Sequence, residues 1–423
     1  MTNRTISNQR TVFSASVRVP GDKSLSHRAL LFAAIARGDS YVTGLGSGND
    51  VQSTIGAIRQ LGVRVDGPEI RSPGISHWTE PSVPIDCGNS GTTMRLLAGV
   101  LSTSRVSATL TGDASLSARP MSRLVSPLQT LGGVIETSAA GTAPLIVGGT
   151  DAIRGAEVSI GIASAQIRSA FELAALGGPS TSTIDSPAGF RDHTERWFGA
   201  IGRGEWISST AFRIDPGEID PARYDIPGDP SSAAYLWALA AITPGSRVTT
   251  PGISLNPGRL GFLQILDDMG ADIEATVTGS IGGDPVGDVT ISGRPLRAVG
   301  VSGDLVAAAL DELPLLAVVA AFAEGITTVS DAQELRVKES DRIASTTAML
   351  RALGGGIEPA DDGFQVVGTG FLSGGVVDTY EDHRIAMAAT VAGLCADDPV
   401  KIINADSAAV SWPDFYETLE DVW

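Results

Sequence analysis

One pattern of helix, glycine and strand recurs along this chain at nearly regular intervals. An amphipathic run ends at a glycine, and a Val or Ile typical of a strand follows a few residues later. The glycines are Gly62, Gly132, Gly202, Gly270 and Gly354, so the steps are 70, 70, 68 and 84 residues. A glycine there is typical of a helix C-cap, and the residues after it predict a strand. One more step of this size reaches the last predicted helix, which runs from Trp412 to Leu419.

Six copies of a unit this long indicate a duplicated α/β fold. Solenoid repeats are shorter, at about 20–50 residues. We therefore predict two domains, each built from three helix-and-strand units. The alternative is that helix-glycine-strand is a common local device and that the spacing is fortuitous. Because the copy at 198–207 is irregular, the residues alone leave this alternative open.

Composition limits the possible partners and compartments. A length of 423 residues with 43% hydrophobic content allows two or three domains with proper cores. The formal net charge of −18 argues against nucleic acid and anionic membranes as partners, but not against a small ligand in a locally basic cleft. Cys87 and Cys395 fit no metal-ligand spacing and are typical of a reducing compartment. Residues 1–8 hold no apolar signal region and no stretch is long enough to span a bilayer, so we expect a cytoplasmic protein.

Lysine is rare in this chain. Only three of the 30 basic residues are lysines, and two of them lie in short polar clusters, Lys23 in 20–28 and Lys338 in 336–342. Where arginine is otherwise accepted, a retained lysine indicates that a compact, mobile point charge is needed. The alternative is that two of three lysines fell in these clusters by chance.

Cations gather at the ends of predicted elements, several of them at helix starts. A cation there opposes the helix dipole, which makes sense if an anion lies between them. The residues are Lys23, Arg28, Arg119, Lys338, Arg342 and Arg384, with Lys338 and Arg342 predicted on one helical face. Each cluster alone is compatible with ordinary capping, but together they predict more than one anionic group bound in a cleft between two domains. The residues alone therefore indicate an enzyme acting on phosphorylated, carboxylated small molecules, with Asp311 and Glu339 as acid/base candidates.

Three further segments open predicted helices with small polar residues. Gly88–Arg95 reads Gly-Asn-Ser-Gly-Thr-Thr-Met-Arg, a backbone-amide cradle that can take a carboxylate or phosphate, although a structural capped turn looks the same. Ala163–Ser169 places small polar groups and an amide at a helix start, and 190–196 is a capping region with Thr194 as the expected cap.

At these residues the chain resembles the 5-enolpyruvylshikimate-3-phosphate synthase family. The matching motifs run from residue 17 to the C-terminus, and several are long and specific. They are PGDKSLSHRA (20–29), GNSGTTMRL (88–96), ASAQIRSA (163–170), RDHTER (191–196), IPGDPSSAAY (226–235), LNPGRLGFL (255–263), DELPLLAV (311–318), ELRVKESDR (334–342) and EDHRIAM (381–387).

The resemblance implies an inside-out α/β barrel of two domains with three repeats each. Residues 1–19 would join 229–423 in one domain, and 20–228 would form the other, with the active site in the interdomain cleft. The substrates would be shikimate 3-phosphate and phosphoenolpyruvate, held without metal or organic cofactor by a protein that we expect to be a monomer. The implied binding residues are Lys23, Ser24, Arg28, Asn89, Gly91, Arg119, Ser164, Ala165, Gln166, Arg191, Asp311, Lys338, Arg342 and Arg384.

The implied mechanism is addition followed by elimination. The 5-hydroxyl of shikimate 3-phosphate attacks C2 of phosphoenolpyruvate while C3 is protonated, and loss of phosphate and a C3 proton then gives the enol ether. By the same resemblance Asp311 would take the hydroxyl proton, and Glu339 with Lys23 would handle the proton at C3.

The chain departs from the family pattern in places, and two other functions stay open at this point. Val410 stands where some members carry a lysine, and 199–207 is irregular for the family. Gly91 is the residue that leaves room for glyphosate in sensitive members, so we expect sensitivity, although Ala-Ser-Ala-Gln resembles the more tolerant branch. One alternative is UDP-N-acetylglucosamine 1-carboxyvinyltransferase, but that enzyme usually needs a Cys within 112–119, and none is present. The other is a binding homologue without catalysis, which the intact charged residues disfavour.

Overall fold

Each of the five repeat glycines ends a helix with a positive φ angle. The angles are 94° at Gly62, 85° at Gly132, 68° at Gly202, 96° at Gly270 and 76° at Gly354. A strand begins two residues after each of four of them and three residues after Gly132. The predicted helix-glycine-strand unit is confirmed at all five places, including the irregular one at Gly202. The final helix is also present, but it begins at Phe415 and not at Trp412.

The computed structural model describes residues 2–8 and 12–422. These divide into two compact units. The terminal unit holds residues 2–8, 12–20, 228–279 and 285–422, and the central unit holds 21–227 and 280–284.

The central unit contains seven helices and twelve strands among the described residues. The helices are α1 (Lys23–Ile35), α2 (Asn49–Gln60), α3 (Gly91–Ser102), α4 (Ala114–Ala118), α5 (Val125–Thr130), α6 (Ala165–Ala175) and α7 (His193–Ala200). After β1 and β2 of the terminal unit, its strands are β3 (Arg37–Thr43), β4 (Arg64–Asp66), β5 (Glu69–Pro73), β6 (Ile85–Asp86), β7 (Ala108–Thr111), β8 (Ile135–Glu136), β9 (Leu145–Val147), β10 (Glu157–Ser159), β11 (Ser182–Asp185), β12 (Gly204–Trp206), β13 (Ala211–Ile214) and β14 (Arg223–Asp225).

The terminal unit takes strands from both ends of the chain. Its strands are β1 (Arg4–Ile6), β2 (Ser14–Ser16), β15 (Arg247–Ser254), β16 (Asp272–Ile281), β17 (Asp284–Ser292), β18 (Gly300–Val301), β19 (Gly325–Val329), β20 (Gly356–Ala360), β21 (Gly363–Gly368), β22 (Gly375–Asp378) and β23 (Val400–Ile403). Its helices are α8 (Pro230–Ala241), α9 (Gly261–Asp268), α10 (Asp304–Ala309), α11 (Leu313–Ala321), α12 (Arg342–Ala352), α13 (His383–Cys395) and α14 (Phe415–Val422).

Six small mixed sheets carry the repeats. The orders are β14-β3-β5-β4, β6-β7-β9-β8 and β10-β11-β13-β12 in the central unit, and β16-β17-β15-β2, β18-β19-β21-β20 and β1-β23-β22 in the other. In the first sheet β3 pairs antiparallel with β5 and parallel with β14. No sheet closes into a barrel by strand pairing within residues 2–8 and 12–422.

Three buried helices form the centre of each unit. They are α1, α3 and α6 in the central unit and α8, α11 and α13 in the terminal unit, and nearly every residue of these helices is buried. A helix that is apolar on all sides needs cover on all sides, which the sheets and the outer helices provide. As a result, charged residues on these helices lie within their first six residues, apart from Glu172 of α6. Within the described residues, no helix is long and apolar enough to cross a membrane.

Candidate active site

In the central unit, the first turns of the buried helices lie against one another. Arg95 of α3 donates from Nη1 to Gln166 Oε1 of α6 at 2.7 Å, and Gln166 Nε2 donates to Thr92 Oγ1 at 3.0 Å. Arg28 of α1 donates from Nη2 to Ser169 Oγ of α6 at 2.8 Å. Free backbone N–H groups and their partial positive charge therefore collect on one side of this unit, where an anion is favoured.

Lys23 is the first residue of α1. Its N-cap is Asp22, whose side chain accepts from the backbone N–H of Leu25 at 2.8 Å. The Lys23 Nζ lies 3.1 Å from Asp50 Oδ2, and its side chain is 29% exposed. The ammonium thus pairs with a carboxylate at a helix N-terminus and is partly exposed. Sequence reasoning missed Asp50, since an acidic residue in the first turn of α2 looks like ordinary dipole compensation.

A buried hydrogen-bond chain lies below Lys23. His27 Nδ1 is 2.7 Å from Thr54 Oγ1, which is 2.7 Å from Thr93 Oγ1, which donates to Ser90 Oγ at 2.7 Å. The chain links α1, α2 and the N-cap of α3. Burial lowers the pKa of His27 from 6.5 to about 3, so the ring is neutral at neutral pH.

We expect this histidine to make the protein sensitive to mild acid. The unfolded state binds a proton near pH 6.5, whereas the folded state resists it down to about pH 3, so stability is lost as the pH falls through that window. At pH 5 the loss due to His27 is about 2 kcal/mol relative to pH 7.5. Urea unfolding of the wild type and His27→Asn at both pH values measures it. From pH 7.5 to pH 5, the free energy of unfolding of His27→Asn should fall by about 2 kcal/mol less than that of the wild type. An equal fall in both proteins would contradict a buried neutral His27.

The segment before α3, for which the sequence predicts a backbone-amide cradle, forms a capped turn at the start of this helix. Ser90 is the N-cap of α3 and accepts from Thr93 N–H at 3.1 Å. Arg119 donates from Nη2 to Asn89 Oδ1 at 2.7 Å, and Asn89 Nδ2 donates to Asp113 Oδ2 at 2.7 Å. Gly91 lies between two guanidinium groups, because a Cβ there would be 2.6 Å from Arg95 Nη1 and 3.4 Å from Arg119 Nη1. The predicted residues Asn89, Gly91 and Arg119 are therefore neighbours.

Ser164, Ala165 and Gln166 open α6 as predicted. Ser164 is the N-cap and accepts from Ile167 N–H at 3.4 Å, and Ala165 is the first helical residue. Gln166 is fixed by its bonds to Arg95 and Thr92, so its amide is held at the same place as the cradle. Arg95 lies in the 88–96 motif, but the sequence predicted no role for it.

Arg28 is buried in this side of the central unit and hydrogen-bonds only neutral groups among the described residues. It donates from Nε to Thr194 Oγ1 at 2.8 Å, from Nη1 to the Ser24 carbonyl at 2.9 Å, and from Nη2 to Ser169. The sequence predicted Thr194 as the N-cap of α7, and that prediction is wrong. The helix begins at His193 after Asp192, and the Thr194 hydroxyl is taken by Arg28 and Ser169. Arg191 lies two residues before α7 and is half-buried.

In the terminal unit, Arg342 joins three carboxylates. Its Nε donates to Asp382 Oδ2 at 2.8 Å, its Nη2 to Glu339 Oε2 at 2.7 Å, and its Nη1 to Asp311 Oδ1 at 3.3 Å. Burial opposes charge on Arg342, but Asp382, Glu339 and Asp311 outweigh it and raise its pKa. Burial likewise opposes charge on Asp382, yet Arg342 and His383 lower the pKa of Asp382 below its usual value. Both acid/base candidates, Asp311 and Glu339, are thus held by one permanently charged guanidinium.

Lys338 and Arg342 do not share a helical face, and that prediction is wrong. A 3-10 turn, Gln333–Val337, ends at Lys338 in an extended conformation, and α12 begins only at Arg342 after the N-cap Asp341. The two cations meet at Asp311 instead, with Lys338 Nζ at 3.4 Å from the same Oδ1 that Arg342 contacts. Like charges are therefore close in space because a carboxylate lies between them.

Arg384 lies in the first turn of α13, as predicted, with Asp382 as the N-cap. Its Nη1 donates to the Ser231 carbonyl at the start of α8, at 3.4 Å. Burial opposes its charge, but Tyr235, Asp311 and Glu312 outweigh it and raise its pKa. Burial in turn raises the pKa of Tyr235 to about 12. Asp311, Glu339, Lys338, Arg342 and Arg384 therefore form one connected cluster of charges in the terminal unit.

The two cysteines play no part in this arrangement. Cys87 and Cys395 are both buried and form no disulfide within the described residues, and burial raises the pKa of the Cys87 thiol to about 12. Within residues 2–8 and 12–422, no three His, Cys, Asp or Glu side chains are grouped so that they could hold a metal ion.

Comparison with known proteins agrees with this geometry. Residues 8–419 match the family model of EPSP synthase (3-phosphoshikimate 1-carboxyvinyltransferase). The chain belongs to the EPSP synthase family. The resemblance found from the motifs is thereby confirmed, and the alternative that the repeat spacing is fortuitous falls away.

Curated relatives and solved structures of this family match the whole chain. The 3-phosphoshikimate 1-carboxyvinyltransferase of Chloroflexus aurantiacus is 43% identical over 414 residues, which are 95% of each chain. That of Herpetosiphon aurantiacus is 43% identical over 423 residues, which are 98% of each. An EPSP synthase structure from Acinetobacter baumannii superposes with a TM-score of 0.89 at 37% identity, covering 99% of this chain and 98% of that one. The enolpyruvyl transferase NikO from Streptomyces tendae has a TM-score of 0.79 at 18% identity, covering 99% and 96%, and so shares the fold.

Proposed function

We propose that this protein transfers the carboxyvinyl group of phosphoenolpyruvate to the 5-hydroxyl of shikimate 3-phosphate and releases phosphate. The observation that carries the proposal is the match to the EPSP synthase family over residues 8–419. The geometry supports it, because each unit collects cations near the N-terminal ends of helices, where phosphate and carboxylate groups are favoured. The product is the precursor that the shikimate pathway needs for aromatic amino acids.

Binding is assigned to the residues that the resemblance implied. Shikimate 3-phosphate is held by Lys23, Ser24, Arg28, Ser164, Ala165, Gln166, Arg191, Asp311 and Lys338, and phosphoenolpyruvate by Lys23, Asn89, Gly91, Arg119, Gln166, Arg342 and Arg384. Arg28 suits this role, since it is a buried cation whose described hydrogen bonds go to neutral groups. The domain limits (1–19 with 229–423, and 20–228), the active site in a cleft between them, the monomeric state and the cytoplasmic location stay predictions.

The chemistry needs a base for the substrate hydroxyl and an acid for C3. We assign the base to Asp311, whose Oδ1 is oriented by Lys338 and Arg342. Glu339, held at 2.7 Å by Arg342, delivers the proton to C3 together with Lys23 and takes it back when phosphate leaves. The arginines and lysines offset the charge that develops on phosphate and carboxylate oxygens, and they act most strongly where water is excluded.

The sister reaction on UDP-N-acetylglucosamine is disfavoured by the cysteines. That enzyme usually needs a Cys within the loop that is 112–119 here, and this segment instead forms α4 and ends at Arg119. Cys87 lies near the cradle, but its raised pKa keeps it as a thiol. Phosphate release from phosphoenolpyruvate should require shikimate 3-phosphate, with no release when UDP-N-acetylglucosamine replaces it. Release with the nucleotide sugar alone would overturn the proposal.

Gly91→Ala tests the assignment of phosphoenolpyruvate to the cradle. The added methyl group would lie 2.6 Å from Arg95 Nη1 and push that guanidinium away from Gln166. We expect the KM for phosphoenolpyruvate to rise about threefold to tenfold and the glyphosate inhibition constant to rise about tenfold or more. Gly56→Ala is the matched control, because a Cβ on that exposed residue of α2 meets nothing within 4 Å. Equal inhibition constants for the wild type and Gly91→Ala would refute this role of Gly91.

A further inference from the structure

A second arginine of the central unit, Arg168 of α6, is fully buried and joins four segments of the chain. It donates from Nε to Glu195 Oε1 of α7 at 2.6 Å and from Nη1 to Ser186 Oγ at 3.0 Å. The same Nη1 donates to the Thr210 carbonyl at 2.9 Å. Family resemblance gave this residue no role, and it is too deeply buried to meet a ligand itself. Its contacts therefore act on the segments that it holds.

Two aromatic rings cover the Arg168 guanidinium. Its central carbon lies 4.1 Å from the Phe190 ring centroid and 5.4 Å from that of Trp206. The two rings stack on each other with centroids 6.1 Å apart. A planar guanidinium can stack on a ring and donate in its own plane at once, which an ammonium cannot do. Phe190 immediately precedes Arg191, so the stack fixes the turn that carries this proposed binding residue.

The carboxyl groups around Arg168 also interact electrostatically with Arg28. Glu172 Oε1 lies 3.8 Å from Arg168 Nη2, and both groups are fully buried. Burial and the neighbouring Glu195 raise the pKa of Glu172 well above its usual value. Glu195, Asp284 and Asp22 all attract Arg28, and Arg168 holds the Glu195 carboxylate at 2.6 Å. The described hydrogen bonds of Arg28 itself go to neutral groups.

We propose that Arg168 is a positioning residue for the acceptor substrate: its stacking and forked hydrogen bonds set the Phe190–Arg191 turn, and its pairing with Glu195 keeps that carboxylate from pairing with Arg28, the proposed anion-binding residue. The inference rests on the proposed function, because it assigns Arg28 and Arg191 to shikimate 3-phosphate. It concerns the acceptor, since the phosphoenolpyruvate cradle has its own fixation by Arg95 and Gln166.

Arg168→Lys is the decisive variant, because it keeps the buried positive charge beside Glu195 but loses the stack and the fork. We expect the KM for shikimate 3-phosphate to rise about tenfold, with kcat and the KM for phosphoenolpyruvate within about threefold of wild type. Calorimetry of shikimate 3-phosphate alone should show the same weakening. Arg213→Met is the control, because Arg213 lies on β13 beside the same sheet, pairs with Glu205 and Asp215, and is 40% exposed.

A second variant separates positioning from buried charge. Arg168→Met with Glu195→Gln removes both charges of the pair. If Arg168 only neutralised Glu195, substrate binding in this double variant would return to the wild-type level. The proposed role predicts that the KM for shikimate 3-phosphate stays about tenfold high in this folded protein. A KM within about twofold of wild type in either variant would overturn the role of Arg168. Failure of the wild type to turn over or bind shikimate 3-phosphate would instead overturn the proposed function.

Discussion

Replacement of Asp311 by asparagine is expected to lower kcat by about 10³-fold while the Kd for shikimate 3-phosphate changes by less than about tenfold. Asparagine has the shape of aspartate and can still accept from Lys338 and Arg342 through its carbonyl oxygen. It cannot take the proton of the 5-hydroxyl, so the loss falls on the chemical step. Phosphate release under saturating substrates measures kcat, and calorimetry measures binding.

The matched control is Asp304→Asn, at the exposed first residue of α10 in the same unit. It removes one carboxylate from the terminal unit and should leave both constants near wild type. Turnover by Asp311→Asn within about tenfold of wild type would show that another group is the base.

Replacement of Lys23 by methionine is expected to lower kcat/KM by about 10³-fold. The methionine fills similar space but leaves Asp50 without its cation and removes the compact charge at the start of α1. Arginine at this position restores the charge but not its size or its three-donor geometry, so Lys23→Arg should recover less than about a tenth of the wild-type value. Steady-state phosphate release at varied concentrations of each substrate gives the comparison.

The chain supplies its own control for Lys23. Lys401 lies on β23, is exposed, and is the third lysine of the sequence. Lys401→Arg and Lys401→Met should both have wild-type activity. Full activity of Lys23→Arg would contradict the reasoning that lysine is retained there because a compact point charge is needed.

Features that depend on neighbours along the chain could be predicted from the sequence. The five repeat glycines were predicted to end helices because a positive φ angle favours glycine, and all five do. The starts of α1 and α13 were also predicted from local pattern. Local pattern failed at Lys338 and Arg342, because spacing of four residues suggested one helix, whereas a 3-10 turn and the N-cap Asp341 separate them.

Pairs of distant residues could not be predicted in this way. Lys23 with Asp50, Arg342 with Asp382, and Arg168 with Glu195 are 27 to 40 residues apart. Their contact depends on how the repeats pack, and hydrophobic periodicity predicts only local secondary structure. The sequence could therefore identify the charged residues, but not which carboxylate pairs with which cation.

The most direct test of the proposed function is to identify the product while phosphate is measured. Purified protein is incubated with shikimate 3-phosphate and phosphoenolpyruvate together and with each alone, and the mixture is analysed by mass spectrometry. We predict shikimate 3-phosphate enlarged by one carboxyvinyl group, in an amount equal to the phosphate released and only when both substrates are present. Phosphate without this product, or no reaction by a folded protein that binds shikimate 3-phosphate, would contradict it.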